Sequence, residues 1–384
     1  MNPESFLAPT SPFGYPAPYW FLVTLKLIGF VLHASMMNLW YAGPVLALIL
    51  WFKGGYSRTA GNRLMKQMPV IVAYGVNFGI VPLLFLQVAY YKAFYPSTIL
   101  MAWTWFAVFI LLTFAYYGVY IYSTGLKDEG RGMTTFKRIS GWVSAVLFIS
   151  IGFIFANEFS LMTNIGAWHV LWKDQNVGGA VLGTALNITD RTLWPRWLMM
   201  FGLAIMTTSA YFAVDAGMFA SKEKDEYRRW VAGFALKTYL VGVTWFAAMA
   251  SWYVFGTWPD EIRNLMLSSP QVILTFLTAI SPGLVFLTLL LASRKGMVTK
   301  GPAIFVGLAQ ILVLAFNAIS RQIVQNAELG RFFDVTAEEV HMQWSPLILF
   351  LLTFVLGVGV IIWMIYQVAR TTGGAATLLD MDKK

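Results

Sequence analysis

The sequence has no cysteine, only three histidines and little charge: Asp, Glu, Lys and Arg make up 12% of its 384 residues. Without cysteine there is no disulfide, no cysteine-ligated iron–sulfur cluster and no covalently attached c-type heme on this chain. Any metal must be held by His, Met or a carboxylate. So little charge beside 58% hydrophobic residues, with a mean hydropathy of +0.65, excludes a water-soluble domain. The chain reads as an all-α integral membrane protein of many spans.

What is present is a series of apolar runs. A bilayer core about 30 Å thick needs roughly 20 apolar residues per helix. Nine runs meet that length, at about 20–52, 68–91, 97–122, 139–162, 193–219, 231–256, 270–292, 302–325 and 344–369. They are continuous and separated by short charged loops, which argues for helices over a transmembrane barrel. Eighteen Lys and Arg fall in one set of alternating loops and the tail, against six (Lys92, Lys173, Arg191, Arg196, Arg263 and Arg331) in the other. The positive-inside rule therefore puts the N-terminus outside and the C-terminus in the cytoplasm, in the inner (cytoplasmic) membrane. The net charge of +9 is mostly this orientation signal and implies no nucleic-acid binding.

The expected organisation is a proline-rich extracytoplasmic segment, 1–19, a nine-helix domain, 20–369, and a cytoplasmic tail, 370–384. Residues 1–19 have no positively charged n-region, so helix 1 is expected to act as its own insertion signal. Two outer loops are long, 163–192 and 326–343, and each holds one further histidine, His169 or His341. Such loops are where partners dock. Both histidines read first as polar surface residues and second as contacts to a partner.

A charge inside a span costs about 2.5–3.5 kcal/mol on insertion scales, so each one needs a reason. Lys26, Glu158 and Arg321 lie near outer helix ends, Asp215 and Lys237 near inner ones. Lys26, Lys237 and Arg321 can snorkel to the interface. The stretch "FNAISRQIVQN" surrounds Arg321 with amides, which places it toward the bundle or a partner. Glu158 can neutralise Lys26, relay protons or ligate a metal. Asp215 can belong to a proton or ion path, or pair structurally with Lys237.

His33, in "LHASMMN", is the one histidine inside an apolar run. It lies about 10 Å inward of Lys26 at 1.5 Å per residue. Met36 and Met37 share its face, and Met199 and Met200 stand on helix 5. Three readings stay open: an imidazole on heme iron, a soft His/Met site for Cu(I), or a neutral histidine bonded to a carbonyl or to a group such as Asn77.

Four stretches, in order, resemble subunit I of the cytochrome bd quinol oxidases. "LHASMMNLWYAGPVLALIL" resembles its first helix, where an outer-side histidine binds a high-spin heme. "YGVNFGIVPLLFLQVAYY" resembles its second, "FANEFSLMTNIGAW" the end of its fourth and "WPRWLMMFGLAIMTTSAYF" its fifth. The resemblance covers about residues 20–220 and implies a bd-like nine-helix bundle with the N-terminus outside. The chain departs from the family at several points. Met199 occupies the position of the low-spin heme histidine, the third helix has no carboxylate, and "GTWPDEIRNLMLSS" is too short for the quinol-binding loop.

By this resemblance His33 is the one surviving heme b ligand, and Lys26 and Arg321 suit heme propionates. The expected function is a membrane subunit of a respiratory or electron-transfer complex with at most one b-type heme. It would work with other membrane subunits, c-type cytochromes on its outer loops, and conceivably a quinone. It would not be a complete oxidase alone. The alternatives are a cofactor-free scaffold subunit and, from another class, an ion or solute transporter using Glu158 and Asp215.

Overall fold

A computed structural model describes residues 3–127 and 132–381. Arg131, Lys383 and Lys384, three of the orientation charges, lie outside these residues. The chain divides into two compact units, Met1–Pro9 with Val23–Thr336, and Thr10–Leu22 with Ala337–Lys384.

The larger unit is a helical bundle. In chain order come α1 (Tyr19–Lys53), α2 (Gly55–Ala89), α3 (Tyr91–Leu100), α4 (Ala102–Lys127), α5 (Thr135–Thr163), α6 (Trp168–Asp174), α7 (Leu193–Val214), α8 (Asp225–Ser251), α9 (Asp260–Leu267), α10 (Gln271–Ile280), α11 (Pro282–Arg294) and α12 (Lys300–Leu329). Eight helical stretches among the described residues are long and apolar enough to cross a membrane, which makes this an all-α, multi-span membrane protein. The apolar runs locate all eight. Several helices extend further than the runs, because charged residues at a bilayer interface do not stop a helix. Thus α2 begins at Gly55 rather than 68 and carries Arg58, Arg63 and Lys66, with only Gly54 and Gly55, at φ of +72° and +51°, turning the chain after α1.

Two spans are interrupted. The run predicted at 97–122 follows the separate short α3, and the run at 270–292 breaks at Ser281, where Pro282 opens α11. Two others end in a π turn, Asp215–Phe219 after α7 and Trp252–Thr257 after α8. The α7 span is the most buried, at 56% of its window, and the α4 span the least, at 17%, so α7 is central and α4 peripheral. Where α7 meets α8, a Cβ on Gly202 would stand 2.7 Å from the Phe246 backbone nitrogen. Small residues at such crossings let transmembrane backbones approach without help from the hydrophobic effect.

The predicted loop 163–192 is ordered. It holds α6 and a hairpin, β1 (Asn176–Val177) and β2 (Ala180–Val181), turned by Gly178 and Gly179 at positive φ.

The smaller unit joins the proline-rich segment to the last helix, α13 (Trp344–Met381), whose apolar stretch is Trp344–Val360. Tyr15 N–H donates to the Glu339 carbonyl (2.8 Å), His341 N–H to Tyr15 (2.9 Å) and Gln343 N–H to Pro16 (3.1 Å). Gly14, at φ +57°, permits this approach, since a Cβ there would lie 2.3 Å from the Glu339 carbonyl oxygen.

Candidate functional site

His33 sits on α1 against two glycines of α2. A Cβ at Gly79 would lie 2.8 Å from the His33 ring and one at Gly75 2.2 Å from the Trp40 indole, so the i, i+4 glycine pair forms the flat surface that receives both side chains. The imidazole Nδ1 lies 2.8 Å from the Gly75 carbonyl oxygen, and the Trp40 ring packs edge-on with centroids 5.7 Å apart. A carbonyl only accepts, so Nδ1 carries the proton and Nε2 keeps its lone pair. That Nε2 has no hydrogen-bond partner among the described residues. One nitrogen fixed by a carbonyl and the other open is how metal-ligating imidazoles are oriented.

Of the companions considered for His33, Asn77 donates instead to its own Ala73 carbonyl (2.8 Å). Met36, Met37 and Met200 pack against the core cluster around Trp40, Tyr41 and Phe148. Met199 packs with Tyr253, Trp258 and Val324, and also against the cluster that contains Ala34 of α1. No group of three or more His, Cys, Asp or Glu able to hold a metal ion occurs among the described residues.

The buried charges at the end of the bundle where α12 finishes choose neutral partners. Lys26, 9% exposed, donates to Gln322 Oε1 (2.6 Å) and lies 4.5 Å from the Tyr90 ring centroid. Gln322 Nε2 donates to the Tyr90 hydroxyl and to Asn326 (2.8 Å), and Tyr90 donates to Asn326 (2.7 Å). Glu158 does not neutralise Lys26. It is fully buried, Ser97 Oγ of α3 donates to its Oε1 (2.6 Å), and its Oε2 has no partner.

Arg321 does not snorkel outward. Its guanidinium carbon stands 5.2 Å from the Phe30 ring centroid and 5.0 Å from that of Phe159. No carboxylate pairs with it among the described residues. Two cation–π contacts supply about 0.5–2 kcal/mol each to a half-buried guanidinium. Nearby, Arg196 of α7 pairs loosely with Glu328 (3.7 Å).

At the opposite end Asp215, the first residue of the π turn, meets Arg63 of α2 and not Lys237. Arg63 donates to both Asp215 oxygens (2.6 and 2.8 Å), to Glu223 (3.1 Å) and to the Phe219 carbonyl (3.1 Å). This two-toothed contact ties α2 to the end of α7.

The asparagines flanking Glu158 hold the following loop. Asn157 Oδ1 accepts from the Asn187 backbone (3.0 Å), Asn164 donates to Asn187 Oδ1 (3.0 Å), and Asn187 donates to Ser160 (2.7 Å) and Asp190 (3.1 Å). Ser160 also donates to Asp190, which caps Thr192 N–H (2.9 Å) ahead of α7. His169 packs edge-on to Phe6, centroids 6.2 Å apart. His341 is exposed, its Nδ1 3.2 Å from the Phe13 carbonyl and its Nε2 3.3 Å from Glu339.

Sequence reasoning missed Tyr90, Ser97, Arg63, Asn187 and Glu328. Only Arg63 and Glu328 carried a visible signal, a charge within one or two turns of a span. No protein-family model matches this chain, and comparison with curated proteins finds no match either.

Proposed function

We propose that the chain is an integral membrane subunit of an electron-transfer complex, carrying one b-type heme with His33 as its axial ligand. The carrying observation is the imidazole itself: Nδ1 tied to Gly75, Nε2 open, and the ring held between Gly79 and Trp40. In this reading the heme is ligated by this chain from one side, by His33 alone. A b-type heme, when bound, supplies one-electron transfer. The chain's part is to hold the ring: the Gly75 carbonyl fixes the tautomer, and Trp40, stacked on Phe148 with centroids 5.9 Å apart, keeps water from that side.

In this reading α13 is a ninth span. The N-terminus and the loops 163–192 and 326–343 face outward, where extracytoplasmic redox proteins such as c-type cytochromes dock, and the complex lies in the inner membrane. A groove of about 420 Å³ between α2 and α4, lined by Asn77, Thr113, Tyr116, Tyr117 and Tyr120, is large enough for a quinone ring. The test is the visible spectrum of the purified chain. A Soret band present in the wild type and lost in His33→Ala is expected; an unchanged heme content in His33→Ala refutes the ligand assignment.

A second reading, a cofactor-free scaffold subunit, is favoured by the closed Lys26–Gln322–Tyr90–Asn326 network, which leaves the lysine spent on neutral partners. A wild type without a Soret band selects it.

A further inference from the structure

We propose that Arg321, half-buried, is the anchor of a partly buried oxyanion site that binds a phosphate group. Arg321, Gln325 and Glu328 recur at i, i+4 and i+7 along α12 and share one face. Arg321 has Arg196, Glu328 and Tyr253 as electrostatic neighbours, and Lys26 in turn feels Arg321. Glu328 pairs loosely with Arg196 (3.7 Å), acts with Asp190 on it, and reaches Arg321 through space without a hydrogen bond. Lys26 is spent on Gln322. The Arg321 guanidinium, with five N–H donors, lies against two ring faces and makes no hydrogen bond among the described residues.

A second observation points the same way. Gln325, 6% exposed and one turn along the same face, has an amide nitrogen with no hydrogen-bond partner, and Nη1 of Arg196 likewise makes no hydrogen bond. Donors without a partner among the described residues gather here beside the Arg321 guanidinium, where a buried polar group ordinarily finds one. A tetrahedral phosphate oxyanion accepts from a planar guanidinium in two-toothed fashion and still has oxygens for an amide. Its source is either a lipid headgroup entering from the membrane or free phosphate from the aqueous side. The inference does not rest on the heme reading, because His33 takes no part in it.

The experiment is thermal unfolding of the purified full chain in detergent, with phosphatidylglycerol, diacylglycerol of the same acyl chains, or inorganic phosphate added. Phosphatidylglycerol raises the midpoint and diacylglycerol does not. A rise with inorganic phosphate as well identifies the free anion as sufficient, and a rise with the lipid alone identifies the headgroup. Arg321→Gln weakens the apparent affinity about tenfold or more, Arg321→Lys less, and His33→Ala leaves it unchanged. Gln325→Leu, which keeps every charge, gives a smaller loss and serves if Arg321→Gln does not fold. A rise that survives Arg321→Gln and Gln325→Leu, an equal rise with diacylglycerol, or no rise with either phosphate source overturns the proposal. So does a wild type that ignores both but loses heme in Arg321→Gln, because heme carboxylates then occupy the site.

Discussion

Replacing Gly79 with alanine tests whether the α1–α2 contact holds the His33 ring. The new Cβ would stand 2.8 Å from Cε1 and Nδ1, where ordinary contact begins at 3.4 Å, so ring or helix must yield by 0.6 Å (3.4 − 2.8). A ring moving away from Gly79 stretches its 2.8 Å contact with the Gly75 carbonyl, and roughly 3.4 Å is beyond useful hydrogen bonding. The lost bond costs about 0.5–1.5 kcal/mol and overpacking about 1–3 kcal/mol, while alanine returns about 1 kcal/mol of helix propensity. The net expectation is a loss of about 0.5–3.5 kcal/mol. The assay is the thermal midpoint of the full chain, with Gly283→Ala as the control, because a Cβ at Gly283 meets nothing within 4 Å. Gly79→Ala as stable as Gly283→Ala refutes the packing argument. In protein that holds heme, the heme-to-protein ratio falls in Gly79→Ala and not in the control.

Asp215→Asn leaves Arg63 with Glu223 and the Phe219 carbonyl as its partners. The expected loss is about 2–4 kcal/mol, below the range for a fully buried pair because Glu223 remains. Lys237→Ala costs less than Asp215→Asn in the same unfolding assay, and a larger loss there would restore the Asp215–Lys237 pairing. In the loop after α12, Thr336 donates from its backbone N–H (2.8 Å) and hydroxyl (2.7 Å) to the exposed Asp334 carboxylate, which holds that group below the usual aspartate range. With the folded value depressed, the turn's stabilisation is full above the ordinary aspartate value and is lost as pH falls through the depressed one. Titration of labelled Asp334 by NMR is expected to move upward in Thr336→Val; an unmoved titration removes the hydroxyl from the account.

The spans were legible because a bilayer demands about 20 apolar residues per crossing and the sequence supplies them in unbroken runs. Their ends were not, since nothing in the pattern separates a charged loop from a charged helical turn. Arg63 was read as a loop cation and stands on α2. Pro282 and the Gly178–Gly179 pair carry the signals of the break at Ser281 and of the hairpin, and neither was read from them. Partner choice was hidden. Asp215 is 22 positions from Lys237, yet it takes Arg63, 152 positions away, because the π turn aims it across the bundle at α2. Asn157 and Asn164 flank Glu158 in the sequence, and both fasten the loop before α7.

The two ends of the bundle treat charge differently, and both proposals concern the same end. Where Lys and Arg are abundant, Arg63 is matched by Asp215 and Glu223 and spends four of its five N–H donors within the bundle. Where they are scarce, Lys26 leans on an amide and a ring, Arg321 on two rings, and Glu158 on one hydroxyl. A bundle that needed only to be stable would pair Arg321 with a carboxylate or replace it with an apolar side chain, either of which removes the cost of a buried ion. An unpaired cation facing inward is therefore capacity held for something outside this chain. The open Nε2 of His33 stands one turn along α1 from Phe30, whose ring the Arg321 guanidinium covers.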